Sequence, residues 1–485
     1  MNINFKAIAN ILGLLLLFNG VFMLFCLPFA IYYNEPYNYF LISSGITIIS
    51  GLSIFLPTQK NKVKELRKKD GYMVVSLGWI TMSLFGTLPY VISGEIPSFT
   101  DAFFETISGF TTTGASILND IEALPLALLF WRSLTQWIGG MGIIVLAVAI
   151  LPLLGIGGMQ LFVAESPGLS PDKMKPRIQD TAKRLWVIYI GLTFTECVLL
   201  IIGGMNFFDA INHSLTTMAT GGFSTKQDSV AYWDSPFIQY VIIVFMFLAG
   251  TNFTITYYGL KGKFKKAFAN EEFRSYFILC VVVSLGIFGI MATNLGDINL
   301  EKAFRNSLFQ VVSIITTTGF ITSDYTLWGS GVLVLIFILM FIGGSAGSTA
   351  GGIKIVRHII IFKNTVLEIK RQMHPSAILP VRINGKAINQ DTTYNVLAFI
   401  MLYFSVFLVG LILMSFTNLD FSSSLGAVAT SIGNIGPGLG TVGPVYNFAH
   451  INDFGKWVLS IMMLMGRLEL FTVLILFSPF FWKNY

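Results

Sequence analysis

Thr111-Thr112-Thr113-Gly114-Ala115, Ala219-Thr220-Gly221-Gly222-Phe223, Thr316-Thr317-Thr318-Gly319-Phe320 and Gly433-Asn434-Ile435-Gly436-Pro437 are the four stretches that decide this fold. Their glycines Gly114, Gly222, Gly319 and Gly436 recur at intervals of 108, 97 and 117 residues. One Thr-rich turn ending in glycine is an ordinary turn. Four in register are an internal repeat, and repeats of this kind define a fold.

Before each turn lies a short, partly polar segment, at about 100–112, 208–219, 301–317 and 421–432. Each is too short to cross a hydrocarbon core of about 30 Å and reads as a re-entrant half-helix. Around them run ten longer apolar segments, at about 7–32, 38–57, 72–94, 124–158, 183–204, 236–260, 273–294, 328–362, 393–416 and 455–482. The unit is span, half-helix, turn, span. The expected fold is an all-α integral membrane protein with four such units around one pore, after two extra N-terminal spans. The divisions fall at 1–70 (the two-span extension and a basic linker), 71–164, 165–262, 263–388 (with an intramembrane loop) and 389–485.

Composition excludes the water-soluble alternatives. Of 485 residues, 54% are hydrophobic and 12% charged, with mean hydropathy +0.72, whereas soluble domains carry about 25% charged residues. Too few charged side chains remain to clothe a soluble enzyme that must also bury 44 Phe and 18 Met. Cys26, Cys197 and Cys280 each sit in an apolar run and read as core side chains. His213, His358, His374 and His450 lack metal-ligand spacing and read as surface or interface residues. Lys6 and the run 7–31 resemble a signal peptide, but the run exceeds an h-region and no cleavage site follows Leu27-Pro28, so it is expected to be a retained span.

Lys and Arg set the orientation. Lys60, Lys62, Lys64, Arg67, Lys68 and Lys69, with the basic residues of 165–184, 261–274 and 354–386, Lys6 and Lys483, make 25 of the chain's 31, all on one side of the ten-span topology. The positive-inside rule makes that side, and both termini, cytoplasmic. Acidic residues including Glu35, Asp101, Glu105, Asp209, Asp228, Asp324 and Asp420 fall in outer segments, where a negative mouth concentrates cations. Depletion of outer Lys and Arg for topology alone is the plainer alternative.

Four half-helices aimed at one axis, each followed by an extended turn, would stack rings of backbone carbonyls able to replace an alkali cation's hydration shell. Glycine permits the positive φ such a turn needs, and Thr adds β preference and a hydroxyl. The candidate filter residues are Thr111, Thr112, Thr113, Gly114, Thr220, Gly221, Gly222, Thr317, Thr318, Gly319, Asn434, Ile435 and Gly436. Irregular backbone at membrane depth is tolerated only where protein buries it or it lines water.

These turns resemble those of the Trk/Ktr/HKT superfamily of potassium transporters, and most closely its bacterial TrkH branch. Three further stretches carry the likeness: Arg132-Ser133-Leu134-Thr135-Gln136-Trp137-Ile138-Gly139-Gly140-Met141-Gly142, the run from Gly343 to Gly352, and Gly466-Arg467-Leu468-Glu469. The resemblance covers nearly the whole chain, and residues 7–57 look like the extra N-terminal pair of that branch. It implies potassium as the transported ion, with no covalent cofactor, and a homodimer with one pore per protomer in the bacterial inner membrane. It further implies lipid as surroundings, no nucleic acid, and regulation by a separate cytosolic nucleotide-binding ring protein, TrkA-like. This chain itself contains no GxGxxG opening a βαβ unit. In the superfamily, glycine at all four filter positions goes with potassium selectivity, and Gly114 keeps the pattern; Asn434-Ile435-Gly436 departs from the Thr-rich form, as occurs in the family.

Segment 328–362, as one straight helix, would be roughly 52 Å long, beyond the bilayer thickness. Gly343, Gly344, Ser345, Ala346, Gly347, Ser348, Thr349, Ala350, Gly351 and Gly352 supply a break, since each interior glycine weakens a helix by roughly 1 kcal/mol. The expectation is a polar intramembrane loop that gates the path below the turns. The alternative is a GxxxGxxxG helix-packing face. Arg467, inside the last apolar run, needs a partner in the loop carbonyls or Glu469 and joins the gate. Glu196 is expected to be an interhelical hydrogen bonder. A secondary carrier coupled to protons or sodium is the competing reading, although only Glu196 and Glu469 are mid-membrane acids. An enzyme would need a clustered nucleophile or metal set in the spans, and none is visible.

Overall fold

The computed structural model describes residues 3–59, 67–142, 178–294, 299–377 and 379–483. The expected continuation of the span at 124–158 beyond residue 142, and the basic residues Lys60, Lys62, Lys64, Lys173, Lys175 and Arg177, lie outside them.

Apart from one short hairpin that pairs Arg382 with Ala387 and Ile383 with Lys386, the described regular structure is helical. Among the described residues, six helices are long and apolar enough to cross a membrane: Phe5–Tyr32, Asn38–Gln59, Lys69–Ser93, Arg184–Ile202, Glu271–Thr293 and Gln390–Thr417. The first two pack backbone to backbone. A Cβ on Gly13 would lie 2.8 Å from Phe55 N, one on Gly51 2.9 Å from Gly13 O, and one on Gly20 2.6 Å from Ile48 Cγ1. Glu35 ties this N-terminal pair to the helix Leu126–Gly140, its carboxylate accepting the amides of Leu126 and Ala127 at 2.7 and 3.0 Å. It thereby satisfies orphan donors in the first turn of that helix.

The four half-helices are Phe99–Phe110, Phe207–Met218, Leu300–Ile315 and Phe421–Gly433. Each starts with a polar N-cap: Ser98 accepts from Asp101 N, Asn206 from Asp209 N, Asn299 from Glu301 N, and Asp420 from Ser422 N and Ser423 N. Hydrogen bonds from Ser422 and Ser423 hold the Asp420 carboxyl down at about 2, so it stays ionised at the positive end of its helix.

The segments expected as single spans after the half-helices are broken. Pro236–Ala249 and Phe253–Leu260 meet at 119°, Asp453–Arg467 and Phe471–Phe477 at 118°. Ser330–Leu339 gives way to a loop before Ile355–Met373. Packing explains the breaks. Helices of these segments run into the ends of half-helices at points where no side chain fits: a Cβ on Gly466 would overlap Ile432 O, and one on Gly250 would lie 2.7 Å from Thr316 Cγ2. Hydropathy along the chain cannot register such a stop.

Candidate filter and intramembrane loop

Each half-helix ends in the same motif. Thr112 N bonds Gly109 O and Thr113 N bonds Ser108 O, both at 2.9 Å; the pairs Thr220/Gly221, Thr317/Thr318 and Asn434/Ile435 repeat the pattern. This is a Schellman ending, which places its C′ residue in the left-handed region, usually as glycine. Here that residue is Thr112, Thr220, Thr317 or Asn434, with φ between 53° and 55°. Thr carries a β-branched penalty in this conformation that Asn avoids. The fourth turn therefore departs in residue type while keeping the backbone of the others. Two residues on, Gly114, Gly222, Gly319 and Gly436 again have positive φ, from 78° to 98°.

The four turns meet in a closed ring. A Cβ on Gly114 would overlap the carbonyl oxygen of Gly221, one on Gly222 that of Thr318, and one on Gly319 that of Ile435; one on Gly436 would come within 2.8 Å of Thr113 O. Each glycine thus abuts the carbonyl that precedes the corresponding glycine of the next turn. All four glycines line one cavity of about 240 Å3, which Asp228, Lys226, Asp324 and Tyr446 also border.

Buried polar groups brace the ring. The Glu105 carboxylate accepts from Arg132 Nε at 2.8 Å, Ser116 Oγ at 3.0 Å and Ile117 N at 3.0 Å, and Arg132 Nη1 donates to Ser224 O at 3.1 Å. Glu105 therefore does not belong with the outer acidic charge: it is 1% exposed and committed to this pair. Asp209 is likewise buried and accepts from Thr225. His213 is fully buried, not a surface residue, and its ring contacts Ser224 Oγ at 3.0 Å. Asn434 Nδ2 reaches Thr113 Oγ1 at 2.9 Å and Met463 O at 2.8 Å, joining the last turn to the first.

Residues 343–352 form an irregular loop, so the helix-packing alternative does not apply to them. Thr349 Oγ1 donates to Met218 O at 3.0 Å, Gly351 N to Thr317 Oγ1 at 2.7 Å, and a Cβ on Gly351 would lie 2.7 Å from Gly433 O. These residues touch the inner ends of three half-helices. Gly343, Gly344 and Gly352 form the narrow neck, where Gly343 N bonds Ile353 O at 2.8 Å and Ile355 N bonds Gly344 O at 3.2 Å. Ser345 N bonds Gly250 O. The tip turns away: Ala346 meets Asn252 Nδ2 through its carbonyl and Glu272 through its amide, Ser348 bonds Ser345 O, and Gly347 is exposed.

Arg467 donates through Nη1 to Thr349 O at 2.7 Å, and through Nη2 to Gly139 O at 2.7 Å and Gly140 O at 3.0 Å. Glu469 pairs with Arg357 instead. A second cation on the loop, Lys354, donates to Ala350 O and to Gly351 O. The sequence groups Lys354 and Arg357 with the cytoplasmic basic residues of 354–386, but both are buried. Their place one turn after a glycine-rich break is the only sequence signal for this. Glu196 is buried in Ile178–Ile202 and faces the Thr217 side chain of the neighbouring half-helix, the interhelical hydrogen-bonding neighbour expected for it.

A family model described as "Cation transport protein", TrkH, matches residues 38–484. The Trk system potassium uptake protein TrkH of Escherichia coli K12 is 41% identical over 490 residues, covering 99% of this chain and 100% of that one. The TrkG protein of the same organism is 36% identical, with 99% of each chain covered. The crystal structure of the potassium transporter TrkH from Vibrio parahaemolyticus superposes with a TM-score of 0.89 at 39% identity, over 99% of this chain and 100% of that one.

Proposed function

This chain belongs to the TrkH family of cation transport proteins, and we propose that it takes up potassium through the ring formed by its four turns. The carrying observation is the closed cycle in which each turn glycine abuts the next turn's carbonyl around one cavity. Stacked carbonyls there can exchange for a hydration shell. The half-helices aim their C-terminal, partially negative ends at the turns, which favours a cation. Thr111, Thr112, Thr113, Gly114 and their counterparts are the filter, and potassium is cargo, not a resident cofactor.

Below it, residues 343–352 and Arg467 act as the gate. The guanidinium bridges the loop to the helix end at Gly139 and Gly140, and its fixed charge opposes a cation on the same path in a low-dielectric conduit. Opening requires the loop to shift and Arg467 to release its carbonyls. The protein is a multi-pass inner-membrane protein; both termini are cytoplasmic, and the four units divide as 71–164, 165–262, 263–388 and 389–485. A homodimer and a cytosolic nucleotide-binding ring partner, TrkA-like, complete the system.

Potassium and sodium flux in liposomes, with an imposed voltage or a pH gradient, tests this reading. Potassium flux that follows voltage and ignores the pH gradient supports the pore. Flux driven by the proton gradient would support the second reading, a coupled carrier, for which the fully buried acid Glu196 is the favouring observation.

A further inference from the structure

Gly221 is the one turn residue of its level without a side chain: the corresponding positions hold Thr113, Thr318 and Ile435. The space is already taken. A Cβ on Gly221 would run into the carboxamide of Gln136, which reaches the turn from the helix Leu126–Gly140. Gln136 is fully buried, its Nε2 donates to Gly221 O at 2.7 Å, and its Oε1 accepts from Phe223 N at 3.1 Å. The carboxamide therefore brackets Gly222, holding the peptide on either side of it. Gly221 O is also the oxygen that Gly114 abuts across the ring. Among the described residues, Thr113 O, Thr318 O and Ile435 O have no such side-chain donor. Two consecutive glycines make the softest backbone in the ring, because neither has a Cβ to restrict φ and ψ.

Resting on the filter reading, we propose that Gln136 is a positioning residue for ion selectivity, an external clamp that fixes the Gly221 carbonyl where the other turns use their own side chains. With the clamp, the Gly221-Gly222 peptide is held at one orientation and the ring keeps one size. Without it, that peptide rotates, and the ring can shrink onto a smaller ion. The effect falls on the ratio of potassium to sodium, more than on the total rate.

The test is potassium and sodium flux of the full-length protein in liposomes. Gln136→Leu removes donor and acceptor at nearly constant volume, and Gln136→Glu keeps the acceptor alone when ionised. Several-fold lower discrimination in Gln136→Leu is expected. Gln136→Ala should behave alike, and adding Gly221→Thr, which fills the vacated space with the side chain of Thr113 and Thr318, should restore part of the ratio. Gly221→Thr alone should disrupt the turn, since Gln136 still occupies that space. Should Gln136→Leu not insert, the Gln136→Ala pair carries the comparison. An unchanged ratio with reduced flux would overturn the proposal and leave Gln136 a packing residue. Gly114→Ser, measured alongside, separates the two readings: no change there removes the filter assignment itself, whereas a change there with none at Gln136 removes only the clamp.

Discussion

Arg467 and Thr349 are 118 residues apart in the chain, and the guanidinium of one donates to the backbone carbonyl of the other at 2.7 Å. The same side chain holds Gly139 and Gly140 through their carbonyls, so a single cation ties the loop to a helix end of the first unit. Arg467→Ala should raise potassium flux by releasing the loop and removing the charge. Arg467→Lys keeps the charge but lacks the planar fork, so its flux should fall between wild type and Ala. Liposome flux at equal protein density measures both, and lower flux in both variants would make Arg467 a structural anchor.

Gly114→Ser should lower potassium over sodium discrimination. The new Cβ meets the Gly221 carbonyl of the next turn, so the damage passes to a neighbour as well as to its own strained φ. The ring is not uniform, because the Cβ clearance is 2.8 Å at Gly436 but a full overlap at Gly319. Gly436→Ala should therefore keep more discrimination than Gly319→Ala. The reverse order would show that backbone φ, not the neighbouring carbonyl, limits these sites.

Deleting residues 344–350 should raise potassium flux and leave the potassium-to-sodium ratio intact. Gly351, whose amide bonds the Thr317 hydroxyl, is spared because it touches the turn itself. Low flux in a well-inserted deletion protein would count against the loop as gate.

Glu105→Ala should destabilise the protein by about 3 to 5 kcal/mol, the cost of leaving a buried cation without its partner. Arg132 is 1% exposed and makes its ion pair here. Thermal unfolding in detergent reads the loss, and a shift of only a degree or two would mean that water or Ser116 replaces the carboxylate.

Glu35→Ala should cost about 1 kcal/mol, the usual loss for a helix cap. It frees the Leu126 and Ala127 amides. The same thermal assay, compared with an exposed control such as Glu95→Ala, isolates the cap from a general charge effect.

Class and internal repetition were legible in the chain, because both depend on local pattern. Apolar runs of helical length and four Thr- or Asn-bearing turns with glycine are set by bilayer thickness and by backbone sterics, and each acts within a few residues. The alternation of a left-handed Thr112 with Gly114, and of Asn434 with Gly436, also follows from a Schellman ending that a one-dimensional reading can search for. Tertiary structure alone decided what those residues meet. That Gly114 abuts Gly221, that Arg467 chooses Thr349 and leaves Glu469 to Arg357, that Glu105 and Lys354 are buried, and that helices stop against half-helix ends are all contacts between distant segments. Periodicity reports which face of an element is apolar, but steric fit between two backbones about 100 residues apart leaves no periodic trace.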